Sequence, residues 1–466
     1  VYPVAVAVFS PVVGDWIAAG RVVSILCGVL TIVPVYLLFR LYFQPYTRLL
    51  GTAVYALMPF FVYRSTHVLR DPLAWLFLTT GLYLFLRAMQ QRSSGWQYTL
   101  VCLLFLLATW SRIECILYLA VSLAFSLVFP PRQRMRRVFF LALPIIAFLS
   151  LFALNLSIGD NNIQVLSRAP EILDKFTEPI HSYQSLRNTL KHAEITASPP
   201  NPLFERFLSK TRTHIWIVGV GELINAFLEG VFYPYACIIL IGLFAPSRTR
   251  LPALERGYLY ILIGAALFLL YTHLFQTWVM EFRFLAIAVF PCFFLVGRGI
   301  EALSSLLQSR LKWNDAAAAI LLCAVIVIPA AIRNVSPHDK DKAVFQEVGQ
   351  TIAMRHQEGD PVTVLSSFDT QRWVSFYANQ NALDAVCPLQ FGKGEYHAII
   401  GRGCDGLDTR LAAAGVQYLL YEERNWPVNA CRPNQFPHFN NLHRIGEWRH
   451  PDTGRMSLYA VRSLQQ

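Results

Sequence analysis

The chain has 466 residues, 55% of them apolar and 14% aromatic, with only 15% charged. A soluble protein carries about a quarter charged residues, so a soluble cytosolic enzyme is excluded. The net charge of +11 is uneven, +12 over residues 1–333 and −1 over residues 334–466. A nucleic-acid binder would concentrate basic residues in its soluble part; here they sit among apolar runs, as in the cytoplasmic loops of a multi-pass membrane protein.

Uncharged apolar runs fall at 22–39, 49–63, 72–86, 96–110, 115–129, 138–158, 231–245, 258–279, 284–296 and 316–332. Several are shorter than the roughly 20 residues of a full helical crossing, so flanking residues supply the remaining turns of about ten helices over residues 1–333. If the first run enters from outside, the alternate, cytoplasmic loops hold fourteen Lys/Arg. They run from Arg40 and Arg48 to Arg310 and Lys312, whereas the short loops on the other side hold Arg21, Arg64, Arg70, Arg112 and Arg283. That asymmetry sets the sidedness.

Two longer segments then fall outside. Residues 159–230 comprise a polar loop with Pro199, Pro200 and Pro202, followed by Leu203–Glu229, whose pattern predicts an amphipathic helix lying at the interface. Residues 334–466 predict an amphipathic helix (Val344–His356), strands at Pro361–Ser366 and Val416–Tyr421, and a hairpin of Leu442–Trp448 with Met456–Val461. The fold class is a multi-pass α-helical membrane bundle with a small external C-terminal α/β domain. Of the nine cysteines, Cys387, Cys404 and Cys431 lie in that domain, where one disulfide is permitted and the spacing matches no zinc pattern. Asn334-Val335-Ser336 is a glycosylation sequon only in a eukaryotic host.

Arginine at the outer helix ends runs against the charge bias. Arg70 is next to Asp71, Arg112 near Glu114 and Arg283 near Glu281. Each could snorkel or pair with its neighbouring acid, but as a set on one face they suit an anionic lipid-linked substrate, since the guanidinium fork binds phosphate through paired charge-assisted bonds. The loop Tyr63–Pro72 gathers Arg64, His67, Arg70 and Asp71. Pro72 fits a first helical turn and Asp71 a cap beside it; the same carboxylate is available to orient an acceptor or hold a cation. No His/Asp/Glu cluster has metal-ligand spacing, so no cofactor is assigned and a divalent cation stays open. Trp373, Tyr377, Tyr396 and Trp426 could contact an acceptor or simply pack the external domain. Arg372 and Lys393 read as ordinary surface charges.

Three stretches resemble membrane glycosyltransferases of the GT-C superfamily, particularly the protein O-mannosyltransferases of family 39 and the lipid A aminoarabinose transferases. They are Tyr2-Pro3 running on through Phe9-Ser10-Pro11, Gly14-Asp15 and Ala19–Ser24; Tyr63 through Asp71-Pro72; and Ala108–Glu114, similar to a Thr-Arg-Pro-Glu turn but with Ile113 after Arg112 in place of proline. Glu281-Phe282-Arg283-Phe284 with Pro291 is a weaker fourth. The resemblance implies transfer of a sugar from a polyprenyl-phosphate donor to a protein, lipid or glycan acceptor on the outer face. Arg64, Arg70, Arg112 and Arg283 would contact the donor phosphate, Asp71 would fill the second acidic position, and Tyr2, Pro3, His67, Glu114 and Glu281 would line the site. In such enzymes the general base comes from an Asp in the first external loop, which is expected upstream of Val1. Asp15 is not given that role, and the chain as it stands is expected to lack its first helix and its base. The compact external domain points to a bacterial inner membrane with that domain in the periplasm. A transporter for an anionic solute is the alternative, although transporters show repeats and midplane polar residues; a non-enzymatic envelope binding protein is another.

Overall fold

A computed structural model describes residues 1–90, 95–129, 134–158, 168–196, 202–245, 251–336, 342–356, 361–380, 391–401, 403–427, 430–432, 436 and 441–461. Arg92, Arg132, Pro199, Pro200, Arg248, Arg250 and Cys387 lie outside the described residues. The chain divides into two compact units, Val1–Ser336 and Pro337–Gln466.

The first unit is helical throughout. In order it contains α1 (Tyr2–Val13), α2 (Trp16–Leu30), α3 (Ile32–Tyr42), α4 (Pro45–Leu57), α5 (Pro59–Ser65), α6 (Asp71–Gln90) and α7 (Gly95–Ser111). A 3-10 turn (Ile113–Cys115) leads into α8 (Ile116–Val128), α9 (Arg134–Ile158), α10 (Arg168–Thr196), α11 (Pro202–Val231), α12 (Tyr233–Phe244), α13 (Ala253–Thr277), α14 (Phe282–Leu311) and α15 (Asp315–Val335). Local chemistry sets the breaks. Gly14 closes α1 in the left-handed conformation, and Asp15 caps α2 by accepting from the Ala18 amide at 2.7 Å. Pro59 and Pro45 each open a helix where a missing N–H does no harm. α2 and α3 run on through Thr31, whose hydroxyl donates back to the Cys27 carbonyl at 2.7 Å.

All ten apolar runs are helical over most of their length. Among the described residues, six helices are long and apolar enough to cross a membrane; Gly95–Ser111, Ile113–Val128 and Tyr233–Phe244 are apolar but shorter. α14 is the central element. Residues 285–297 are buried without interruption, and a helix apolar on every side belongs inside a bundle. α12 lies directly against it. A Cβ on Gly242 would overlap the Leu295 carbonyl and one on Gly299 the Ile238 carbonyl, so the two backbones touch as small residues allow in membrane bundles.

α11 has the length and composition of a crossing helix, with a kink at His214. Its contacts place it differently. The Tyr271 hydroxyl donates to the Trp216 carbonyl at 3.0 Å, Gly219 faces Tyr271 and Phe275, and Gly230 faces Phe282 and Leu285. Residues 219 and 230 stand about 16 Å apart along a helix, yet both meet the adjoining ends of α13 and α14. The second half of α11 therefore runs across that end of the bundle.

The second unit contains α16 (Ala343–Arg355), β1 (Val364–Leu365), α17 (Phe368–Ala378), α18 (Lys393–Ile400), α19 (Leu407–Ala413), β2 (Tyr418–Glu422), β3 (Leu442–His450) and β4 (Gly454–Val461). The sheet order is β1-β2-β4-β3, with β1 parallel to β2 and the other pairs antiparallel. β2 is buried on both faces. Tyr418 and Leu420 pack with Phe345, Val348 and Val374 of α16 and α17; Leu419 and Tyr421 pack with Ile400, Leu407 and Leu411 of α18 and α19. This is the period-2 alternation of a strand between two helical layers. Cys404 and Cys431 form a disulfide.

Glu422 ends β2 with no exposure at all. The Ser367 and Thr370 side chains and the Asn425 amide face it without closing a well-aligned hydrogen bond, and burial raises its pKa above the ordinary 4.5. A carboxyl whose folded value is raised contributes stability that is complete below the ordinary carboxylate range and is lost as pH rises through the raised value. The C-terminal unit is therefore expected to lose protection against hydrogen exchange, corrected for intrinsic rate, as pH rises from 4 towards neutrality. Glu422→Gln should flatten that dependence; an unchanged profile in the variant would remove Glu422 as its cause.

Candidate functional site

α6 presents Asp71, Ala74, Trp75 and Leu78 along one buried face, one helical turn apart. α7 ends at Ser111, so Arg112 enters the bundle beside that face. Its guanidinium pairs with Asp71 through Nη1 and with Glu114 through Nε (3.3 Å) and Nη2 (3.5 Å). Asp71 is 1% exposed and Arg112 7%, so this is a desolvated ion triad bridging α6 and the 3-10 turn. Three of the five guanidinium N–H groups are committed and two remain.

α14 completes the site from the opposite wall. The Arg112 guanidinium lies 4.7 Å from the Phe284 ring centre and that of Arg283 5.2 Å from the same ring, so one aromatic ring holds both cations. Arg283 donates through Nη2 to Glu281 at 3.0 Å. Ala74, Trp75, Leu78, Arg112, Glu114, Cys115, Arg283, Phe284, Ala286 and Ile287 enclose a cleft of about 10 Å³, room for about one water molecule.

The structure thus brings together Asp71, Arg112, Glu114, Glu281 and Arg283, which span more than 200 residues of sequence. Asp71 engages Arg112, 41 residues away, while its neighbour Arg70 is exposed. Asp71 lies in the first turn of α6, beside the cap position as expected.

Tyr2, Pro3, Arg64 and His67 belong to the adjoining scaffold. Pro3 sits in the first turn of α1. The Tyr2 hydroxyl donates to the Gly20 carbonyl at 3.0 Å and lies 3.1 Å from the Ser24 hydroxyl, which in turn donates to the Leu69 carbonyl at 2.9 Å. This chain of bonds ties α1 and α2 to the segment carrying Arg64, His67 and Arg70. His67 Nδ1 lies 2.8 Å from the Tyr63 carbonyl, and the Arg64 guanidinium sits 5.8 Å from the Tyr63 ring.

Trp75 and His273 were not singled out by sequence reasoning. Trp75 was reachable, since it stands one turn after Asp71 on the same helix face. His273 stacks 4.4 Å from the Phe284 ring and bonds Gln276 at 3.0 Å; nothing local in the sequence points to it. Formally, the cluster's three carboxylates outnumber its two guanidiniums. An anion would therefore need Arg64, in the last turn of α5, and Arg70, just before α6, to turn the local charge positive. Among the described residues no three His, Cys, Asp or Glu side chains meet as a metal-binding group.

Residues 1–158 match the family described as dolichyl-phosphate-mannose-protein mannosyltransferase. That stretch contains Asp71, Arg112 and Glu114, whereas Glu281 and Arg283 lie beyond it. The whole chain shares its fold with the oligosaccharyltransferase of Archaeoglobus fulgidus, determined in complex with Zn and sulfate. The TM-score is 0.51 at 13% identity, over 98% of this chain and 63% of that one. The chain thus spans less than two thirds of the archaeal protein's length. Looser similarity extends to arabinofuranosyltransferase AftD from Mycobacteria (TM-score 0.44, 13% identity, 97% of this chain, 36% of that one). ArnT from Cupriavidus metallidurans aligns with a TM-score of 0.38 at 10% identity, over 98% of this chain and 86% of that one. No curated protein sequence matches the chain. The resemblance drawn from the sequence motifs is borne out to this extent: the first third matches the mannosyltransferase family, and the chain shares its fold with the archaeal oligosaccharyltransferase.

Proposed function

We propose that this chain forms the membrane unit of a glycosyltransferase that moves a sugar from a polyprenyl-phosphate donor to an acceptor at the outer face of the membrane. The observation that carries the reading is the Asp71–Arg112–Glu114 triad, whose Arg112 and Glu114 line one cleft with Arg283, inside a helical unit whose first 158 residues match the mannosyltransferase family. When the acceptor oxygen attacks the anomeric carbon and gives up its proton to a general base, the polyprenyl phosphate departs with the bonding electrons. The spare N–H groups of Arg112, together with Arg283, Arg64 and Arg70, stabilise that developing charge in a partly desolvated setting. Asp71 fixes Arg112 and, on the acidic position it occupies, orients the acceptor. Tyr2, Pro3, His67, Glu114 and Glu281 shape the surround.

Charge arithmetic makes this reading specific. With three carboxylates against Arg112 and Arg283, Arg64 at the end of α5 and Arg70 before α6 provide the surplus that attracts a phosphate. The C-terminal unit is assigned to the outer side, in the periplasm of a bacterial inner membrane; the inside excess of basic residues and the Cys404–Cys431 disulfide both support that placement. The acceptor is a protein, lipid or glycan, and nucleic acid has no part. Were a divalent cation to take part, Asp71 would be the residue to hold it, and the ion would neutralise charge on the departing phosphate.

The reading is tested by incubating the full chain in vesicles with a C55 polyprenyl phosphate bearing a radiolabelled hexose, or in a second arm a pentose, and membrane or periplasmic acceptors from a bacterial host. Transfer or release of label that depends on Arg64 and Arg70 together is expected. Uptake of a free anionic solute without any loss of label from the lipid would support a transporter instead.

A further inference from the structure

Trp75 is 1% exposed, and its indole Nε1–H has no hydrogen-bond partner among the described residues. A buried indole N–H ordinarily finds an acceptor, because leaving it unpaired costs free energy that packing must offset. Its neighbours on one side are Phe61, whose ring stands edge-on at 4.8 Å, and Phe60 at 5.6 Å; neither offers more than a weak contact with a π face. On the other side the indole lines the cleft shared with Arg112, Glu114, Arg283 and Phe284. Leu78, Ala286 and Ile287 supply only hydrocarbon there. Glu114, the nearest acidic wall, is directed at the Arg112 guanidinium.

We infer that Trp75 is a substrate-binding residue whose Nε1–H donates to one oxygen of a glycosyl phosphate entering this cleft. The assignment rests on the donor reading above and deepens it. In the cluster around the cleft three carboxylates, Asp71, Glu114 and Glu281, offset the two guanidiniums of Arg112 and Arg283, so charge alone does not select what enters. A neutral donor packed against Phe60 and Phe61 adds recognition by position. The cleft holds one oxygen-bearing group, so the phosphate or sugar body sits at its mouth beside Arg283 while a single oxygen reaches in. That oxygen belongs to the phosphate or to a sugar hydroxyl, and the two sources are separable.

The experiment compares the full chain with Trp75→Phe, reconstituted in nanodiscs, for binding of C55 polyprenyl phosphate and of C55 polyprenyl phosphohexose. Phenylalanine keeps the ring packing and removes the N–H. A roughly tenfold loss of affinity is expected, the size of a single hydrogen bond to a charged or firmly held oxygen. Loss with both ligands assigns the partner to the phosphate; loss only with the hexosyl form assigns it to the sugar. Trp110→Phe, at an exposed position, should bind as the unaltered protein does. A second readout needs no stable variant: the Trp75 indole N–H resonance of the unaltered protein should shift downfield and exchange more slowly when ligand is added. Equal affinity of Trp75→Phe for both ligands, with an unmoved indole resonance and Arg283→Ala still weakened, would overturn the role of Trp75 alone. Absence of saturable binding to the unaltered protein would overturn the donor reading and the role of Trp75 with it.

Discussion

Arg112→Met is expected to lower the stability of the helical unit by about 3–5 kcal/mol, the usual cost of removing one partner from a buried ion pair. Asp71, 1% exposed, would then carry an uncompensated charge between α6 and α7. Glu114 would lose the Nε and Nη2 donors of Arg112, but it reaches solvent and adjusts more easily. Arg112→Lys should fall between, since an ammonium cannot span two carboxylates as the planar fork does. Combining Arg112→Met with Asp71→Asn should recover part of the loss, because the two changes remove one interaction and are not additive. Reversible unfolding in mixed detergent micelles measures all four proteins. A stability for Arg112→Met equal to that of the unaltered chain would show that the triad is not desolvated.

Opening the Cys404–Cys431 disulfide is expected to be the second large effect. The bridge closes a loop with a sequence separation of 27 residues, for which loop-closure entropy predicts roughly 3.5 kcal/mol. It also pins the segment containing Trp426, whose indole donates to the Cys431 carbonyl at 2.8 Å and whose ring packs against Tyr421, Tyr396 and Phe436. Cys404→Ser should therefore expose β2 and α19 to hydrogen exchange in the intact chain while leaving α6 and α14 protected. Equal protection of β2 in the variant and the parent would contradict this.

The parts of the fold that depend on local pattern were legible in the sequence. The apolar runs became helices because a long uncharged stretch has few other ways to satisfy its backbone in lipid. The amphipathic stretch expected at Val344–His356 forms α16 over Ala343–Arg355, and the expected hairpin forms β3 and β4, turned by Gly454 in the left-handed conformation. β2 is shifted by only a residue or two, whereas β1 shrinks to Val364–Leu365 because its single parallel partner offers two register positions. α17, α18 and α19 were missed. They are 11, 8 and 7 residues long, too short for a helical period to stand out. One signal was available: Glu395 accepts from the Gly392 amide at 2.8 Å, the reach-back of a helix start.

The site was legible as a set and illegible as a geometry. Outer arginines beside acids picked out Asp71, Arg112, Glu114, Glu281 and Arg283, which the fold brings together, but adjacency in sequence did not point to the pairing of Asp71 with Arg112. In a helix, neighbours in sequence point about 100° apart, so the partner of a buried carboxylate is fixed by which helices pack together and not by the adjacent residue. Phe284, lying between Arg112 and Arg283, and the orphaned indole of Trp75 are consequences of α6 meeting α14 across 200 residues. No window of sequence contains that contact.

The most direct test of the central claim is to locate a bound polyprenyl phosphate by photo-crosslinking. A diazirine placed next to the phosphate of the C55 lipid, activated on the full chain in nanodiscs, is predicted to label α6 near Trp75 and α14 near Arg283 and Phe284, with labelling lost on adding excess unmodified lipid. Adducts spread over the lipid-facing helices, and undiminished by competitor, would contradict a phosphate site at this cluster.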